Sequence, residues 1–338
     1  MVAYIIRRVI VGLLMLVAMS FIVFALFMKN PVDPAQFSCG KNCPPERIEE
    51  TRQALGYDQP LLVQWGNFAK GVVVGREYPA DEAMREANPE LVTECAAPCL
   101  GYSQQLQMTV NDEIAEAAPI SISIAMVAVT IWVVFGVLFG VLAAIVKGSL
   151  LDRGVVGATL ALYAFPTFFV GALLINFVAI KWGIFPAPGY VSIAEGGVWQ
   201  WLVQLTLPGF TLAVVYMAGY VRMTRAFVLE SMSEDYIRTA KAKGVKSGKV
   251  LFKHALRAAL TPLVTMFGLD FAAVLGGAII TEDVFNYYGL GKLAVTANET
   301  FDLPTIVGLV LLLGALVILA NIIVDVLYAF IDPRVRVA

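Results

Sequence analysis

Six long apolar runs, almost free of charge, punctuate the chain at residues 9–28, 117–146, 154–180, 198–221, 258–280 and 305–331. At 1.5 Å per residue each can cross a hydrocarbon core of about 30 Å as an α-helix. Several exceed twenty residues, which permits tilt or kinking. Pro166, Pro208 and Pro262 mark places where helices start or bend, and Gly136-x-x-x-Gly140 permits two helices to approach closely. Each run except two is uninterrupted: Asp270 falls in the fifth and Asp325 in the sixth. The first run follows Arg7 and Arg8, as a signal peptide would. However, Met28-Lys29-Asn30-Pro31 offers no small-x-small cleavage site, so a retained helix is expected. The pattern therefore predicts an all-α membrane protein with four parts. These are a first helix (1–28), an outer segment (29–116), a five-helix core (117–331) with an inner loop at 222–257, and a short tail (332–338).

Composition narrows the class further. Hydrophobic residues make up 59% of the 338, and charged residues only 15%, against about 25% in soluble domains. A net charge of −2 gives no basic excess for nucleic acid. A single histidine, His254, leaves little room for histidine-based metal or triad chemistry. The 24 Lys and Arg concentrate in alternate segments. The loop at 222–257 holds nine, whereas the short segments at 181–197 and 281–304 hold one each. By the positive-inside rule this places both termini in the cytoplasm of a multi-pass inner-membrane protein.

The second segment, 29–116, then lies outside. It carries 14 acids against 7 bases and all four cysteines, Cys39, Cys43, Cys95 and Cys99. An oxidising compartment favours disulfides over zinc for these two C-x3-C pairs, and three pairings remain open.

The inner loop carries the most information. Ser233-Glu234-Asp235 precede a helical run from Tyr236 to Lys243, with acids near its positive end. Gly244 ends or bends that helix. A second run, 247–257, places Val250, Leu251, His254 and Leu256 toward one apolar side. A solvated basic surface is the simplest account of such a loop. Ala240, Ala242 and Gly244 point instead to close approach by another protein. Gly244-x-x-x-Gly248-Lys249-Val250 is not a phosphate-binding loop, since the glycine spacing is one residue short and no Ser or Thr follows the lysine.

These residues resemble the integral-membrane permeases of ATP-binding-cassette importers, in particular the dipeptide, oligopeptide and nickel branch. That family's cytoplasmic Glu-Ala-Ala-x-x-x-Gly signature falls on Arg238-Thr239-Ala240-x-x-x-Gly244, departing at its first two positions. The resemblance extends through Asp235-Tyr236, His254-Ala255-Leu256-Arg257, Arg222-Met223-Thr224-Arg225, Gly277 to Glu282, Gly289-Leu290-Gly291 and Asn321-x-x-x-Asp325 to Arg334. It covers nearly the whole chain, with the poorest fit in the cysteine-bearing outer segment.

The resemblance implies the six-helix fold of type I importers. It also implies a non-catalytic subunit that pairs with a second homologous permease, two ATP-binding subunits and an external substrate-binding lipoprotein. ATP and Mg would sit on the ATPases and no cofactor on this chain. Asp235, Tyr236, Arg238, Thr239, Ala240, Gly244 and His254 would couple to an ATPase. Affinity would come from contacts around Tyr236, Ile237 and Ala240, and the outer residues 281–304 would contact the binding protein. Asp270, near mid-membrane, is open to two readings: an acid lining the translocation path, or a hydrogen bond to a neighbouring helix. Asp325 is expected to pair internally near the inner interface. Peptides are the expected cargo, with nickel or another small solute as the alternative. A proton-coupled transporter using both acids, or a sensor built on the outer segment, are the competing classes.

Overall fold

The computed structural model describes residues 2–28, 35, 44–54, 56–79, 85–86 and 89–331. Cys39, Cys43 and Arg334 lie outside these, as does the side chain of Asp325. Among the described residues, five helices are long and apolar enough to span a membrane, or six if the bent pair of helices counts as one span. The chain divides into two compact units, one of residues 1–119 and 289–318, the other of 120–288 and 319–338.

The first unit contains α1 (Val2–Met28), α2 (Pro45–Ala54) and α3 (Leu61–Val74), followed by strands β1 (Arg76–Tyr78) and β2 (Thr93–Cys95). A second hairpin, β3 (Tyr102–Ser103) with β4 (Met108–Thr109), leads into the first turns of α4 (Val110–Ile145). The same unit holds α11 (Leu290–Glu299) and most of α12 (Leu303–Ile331). The outer segment is thus not wholly helical, as two antiparallel ladders interrupt it. Aromatic contacts seat α3 on α1. Trp65 stacks edge-on against Phe21 at 5.5 Å and donates to the Ser20 hydroxyl at 3.0 Å, while Phe24 meets Phe68 at 5.3 Å. Among the described residues, Cys95 and Cys99 form a disulfide. The buried carboxylate of Asp302 accepts from Ser103 and Thr305, and Glu113 accepts from the same Thr305 hydroxyl at 3.0 Å. Burial pushes the Asp302 carboxyl above its usual range, against those hydrogen bonds.

The second unit is the helical core. It contains the rest of α4, then α5 (Leu150–Tyr163), α6 (Thr167–Leu173, extended by a π-helical stretch to Lys181), α7 (Ile193–Ser233), α8 (Asp235–Ala242), α9 (Leu256–Gly277) and α10 (Ile279–Phe285). The third apolar run is not one rod, because α5 and α6 meet at 102°. Pro166, extended at φ −59 and ψ 142, caps α6. Its missing N–H and its steric effect on Phe165 stop the helix from running through. Pro208 and Pro262, by contrast, are carried inside α7 and α9. The first turn of α7 opens with a capping box in which Ser192 and Glu195 each accept from the other's backbone N–H, and Gly197, at φ +69 and ψ 172, kinks the chain before the long remainder of the helix. Against it lies α4, with Gly136 facing Tyr220 and Gly140 facing Thr224, so the predicted small-residue pair marks a real crossing of two helices.

Candidate functional site

The short helix α8 is held to the core by one face and bare on the other. Glu234, extended at φ −69 and ψ 151, turns the chain out of α7, and Asp235 in the first turn and Lys241 in the last complement the helix dipole. Ile237 is fully buried, packed with Val250 and Ala255, while Met232, Ala240 and Val245 close around them. Asp235, Tyr236, Arg238 and Thr239 are exposed. The Asp235–Arg238 pair, 3.3 Å apart, is open to solvent and contributes little. Thr239 donates to Asp235 O at 2.9 Å, so its hydroxyl is engaged within the helix.

Gly244 ends α8 as its composition predicts. Its φ of +76° lies in the left-handed region, its N–H reaches Lys241 O at 2.9 Å, and the Val245 N–H reaches Ala240 O at 3.2 Å. These are the two bonds of a Schellman motif, and Val245 and Ala240 supply its apolar contact. Nothing lies within 4 Å of a Cβ placed on Gly244. Its requirement is therefore conformational, and the surface around it is free.

Two expectations about this loop need correcting. Ile237 cannot supply contact area to another protein, because its own chain already buries it. The face available around Tyr236 is 46% exposed at that residue. The run 247–257 is also not one regular helix. A π-helical turn from Val250 to Ala255 interrupts it, and this wider turn puts Val250 and Ala255 beneath Ile237. Leu251 and Leu256 pack instead with Val141, Ala144, Val228 and Ala259, and His254 is left half-buried.

At the base of the loop Arg225 makes a two-pronged bond to Asp152, Nε to Oδ1 and Nη2 to Oδ2, both at 2.7 Å. Asp152 is buried, and it also accepts the Gly148 N–H at 2.8 Å while Ser149 caps its helix. The turn after α4 is thereby tied to the stem of α7. Asp152 escapes sequence reasoning because it sits in a short basic segment that reads only as a topology signal.

Deeper in this unit, Asp270 of α9 is half-buried beside Tyr216 and Tyr220 of α7. Trp132 of α4 stacks on Tyr216 at 4.7 Å and meets Tyr220 at 6.3 Å. The Tyr220 hydroxyl and Trp132 Nε1 are both buried without closing a hydrogen bond of normal geometry. An acid and two under-satisfied polar groups thus gather inside the helix bundle, where such groups are costly unless water or a solute meets them.

The motif residues after α9 are internal. Glu282 is fully buried and accepts from Ser121 at 2.5 Å. Tyr287 is 1% exposed and donates to Gln204 O at 3.0 Å, and burial raises its hydroxyl pKa to about 12. In the other unit, Leu290 and Gly291 are buried in the first turn of α11. These residues hold the fold together. Tyr287 carried no signal in the sequence that set it apart from its aromatic neighbours Phe285 and Tyr288.

This arrangement has known counterparts. Residues 136–337 match the family described as binding-protein-dependent transport system inner membrane component, and residues 1–125 match that family's N-terminal region. A putative peptide transport system permease of Brucella abortus is 35% identical over 99% of both chains. The dipeptide transport system permease DppB of Escherichia coli K12 is 31% identical, again over 99% of both. Among solved structures, an inward-facing MetNI methionine ABC transporter chain superposes with a TM-score of 0.52 at 19% identity. The match covers 65% of this chain and 96% of that one, which establishes the shared permease fold. The protein is therefore a member of the binding-protein-dependent inner membrane transport components, a transport subunit rather than an enzyme.

Proposed function

We propose that the chain is one membrane half of an ATP-driven importer of short peptides, taking cargo from an external binding protein and coupled through α8 to a separate ATPase. The observation that carries this reading is the bare face of α8. Tyr236, Arg238 and the surface around Gly244 lie open, while Ile237 anchors the helix from below. A lever that transmits motion needs both properties, a free face to be gripped and a seat stiff enough to pass the displacement on to α7 and α9. Peptide cargo follows from the names of the relatives that match over the full length.

In this reading both termini and the loop 222–257 are cytoplasmic, 29–116 is extracytoplasmic, and a second homologous permease completes the path. Two ATPase subunits bind the ATP and Mg. The polar group of Asp270, Tyr220 and Trp132 lines or borders the route.

Gly244→Trp tests the assignment. A non-glycine residue at this φ costs about 1–2 kcal/mol, and the indole projects into open space where a partner would sit. The variant should insert and fold, yet lose ATP-dependent peptide uptake in proteoliposomes containing the whole transporter. Uptake at the wild-type rate would overturn the assignment.

A further inference from the structure

A second site stands in the first unit, where nothing in the coupling mechanism needs one. A cavity of about 430 Å³ opens between α3, β1 and β3, walled by Tyr57, Phe68, Tyr78 and Tyr102. Among its lining residues is Arg76. The guanidinium lies 5.6 Å from the Phe68 ring and 5.2 Å from that of Tyr78, and among the described residues it has no ion-pair partner. Its Nε is buried without a hydrogen bond. Of the other charged groups on the cavity, Glu77 is engaged by Arg85 at 3.7 Å, and Lys70 adds a second cation. Gln64 also borders the cavity, and its Oε1 is buried without a donor.

Local structure builds this site deliberately. Gly71 has no side chain, and a Cβ there would come within 2.8 Å of Arg76 Nε, so the arginine lies across a gap that only glycine leaves. At Gly75, φ is +82°, and a Cβ would come within 2.9 Å of Cys95 O. The chain therefore leaves α3 and runs directly against the disulfide-closed loop. Arg76 pairs across the ladder with Cys95, whose bridge to Cys99 pins that strand. Burial lowers the Arg76 pKa, as expected of a cation held away from water.

We infer that this cavity binds the free α-carboxylate of a short peptide, with Arg76 gripping the carboxylate and the Gln64 carbonyl oxygen accepting from the adjacent amide N–H. An arginine fork matches a carboxylate's two oxygens, and a C-terminal residue offers that anion and an N–H donor within one residue's reach. Aromatic walls suit a variable side chain beside them. The choice of ligand rests on the peptide-importer reading, but the site is tested without transport.

The full-length chain alone, in lipid nanodiscs, should bind Ala-Ala detectably by saturation-transfer NMR or calorimetry. Ala-Ala amide, lacking the carboxylate, should bind about tenfold or more weakly. Arg76→Gln should erase the difference between acid and amide, and Arg76→Lys should restore part of it. Retention of the Cys95–Cys99 bridge by mass spectrometry would check that the variants fold.

Equal binding of acid and amide to the wild type overturns the proposal whether or not any variant folds. So does an acid preference that survives in a folded Arg76→Gln. If Ala-Ala does not bind, while Arg76→Gln weakens association with the importer's binding protein, the ligand is an acidic surface of that protein and the proposal fails. Peptide uptake without binding here would refute this site alone. Binding here in a transporter that does not import peptides would refute the functional reading instead.

Discussion

Gly140→Ala offers a direct test of how the helices around Asp270 are held. A Cβ at residue 140 would lie 2.5 Å from Thr224 Cβ and 2.8 Å from Val221 O. Carbon atoms rest at about 3.5–4.0 Å, so α4 and α7 must part by roughly 1 Å. Neither obstacle can swing aside, since one is a backbone carbonyl and the other the first atom of a β-branched side chain. A gap of 0.5–1 Å forfeits about a quarter to a half of each contact along the seam, and overpacking of this kind costs about 1–3 kcal/mol. Alanine's better helix propensity returns at most about 1 kcal/mol. The steric term wins, and the net loss should be about 1–2 kcal/mol.

Gly157→Ala is the internal control, because the same propensity gain applies and nothing lies within 4 Å of the added methyl. Unfolding midpoints in mixed detergent micelles would compare the two. Gly140→Ala should fall below the wild type, and Gly157→Ala should match or exceed it. A Gly140→Ala protein at least as stable as Gly157→Ala would refute the claim that glycine is needed for the crossing.

The two sides of α8 should respond differently. Ile237→Ala removes a fully buried side chain and should destabilise the loop by about 2–5 kcal/mol, seen as faster amide exchange in residues 235–255 without partners present. Tyr236→Ala should leave that exchange unchanged and weaken ATPase association in pull-down or calorimetry. The same exchange increase in both variants would remove the distinction between seat and gripped face. Asp270→Asn keeps the shape and removes the charge beside Tyr220, so assembly should persist while relative uptake across a panel of cationic, neutral and anionic peptides shifts. An unchanged profile would assign Asp270 to helix packing alone.

How legible this molecule was in its sequence varies with the physics involved. The spans were legible because a bilayer imposes length and apolarity residue by residue. Gly244 was legible because a helix stop needs a left-handed residue and few residue types supply one. Gly136 and Gly140 were readable as a close-approach pair, though only the tertiary structure names Tyr220 and Thr224 as their neighbours.

Three features needed the structure. Ile237 and Tyr236 are adjacent in an amphipathic helix, and only the underlying Val250 and Ala255 decide which is buried. The π-helical turn moves that seat away from where a regular helical spacing from 247 to 257 would put it. Asp152 and Arg225 are 73 positions apart, and no local pattern links them. Arg76 extends the same lesson. In sequence it is one of seven bases in an acidic segment, and only a strand pairing, two glycine gaps and a disulfide make it an unpaired cation in a cavity. Local rules determined where the chain crosses the membrane and turns. Which side chains were left free to act was decided by packing between distant segments, because burial and pairing belong to the assembled fold.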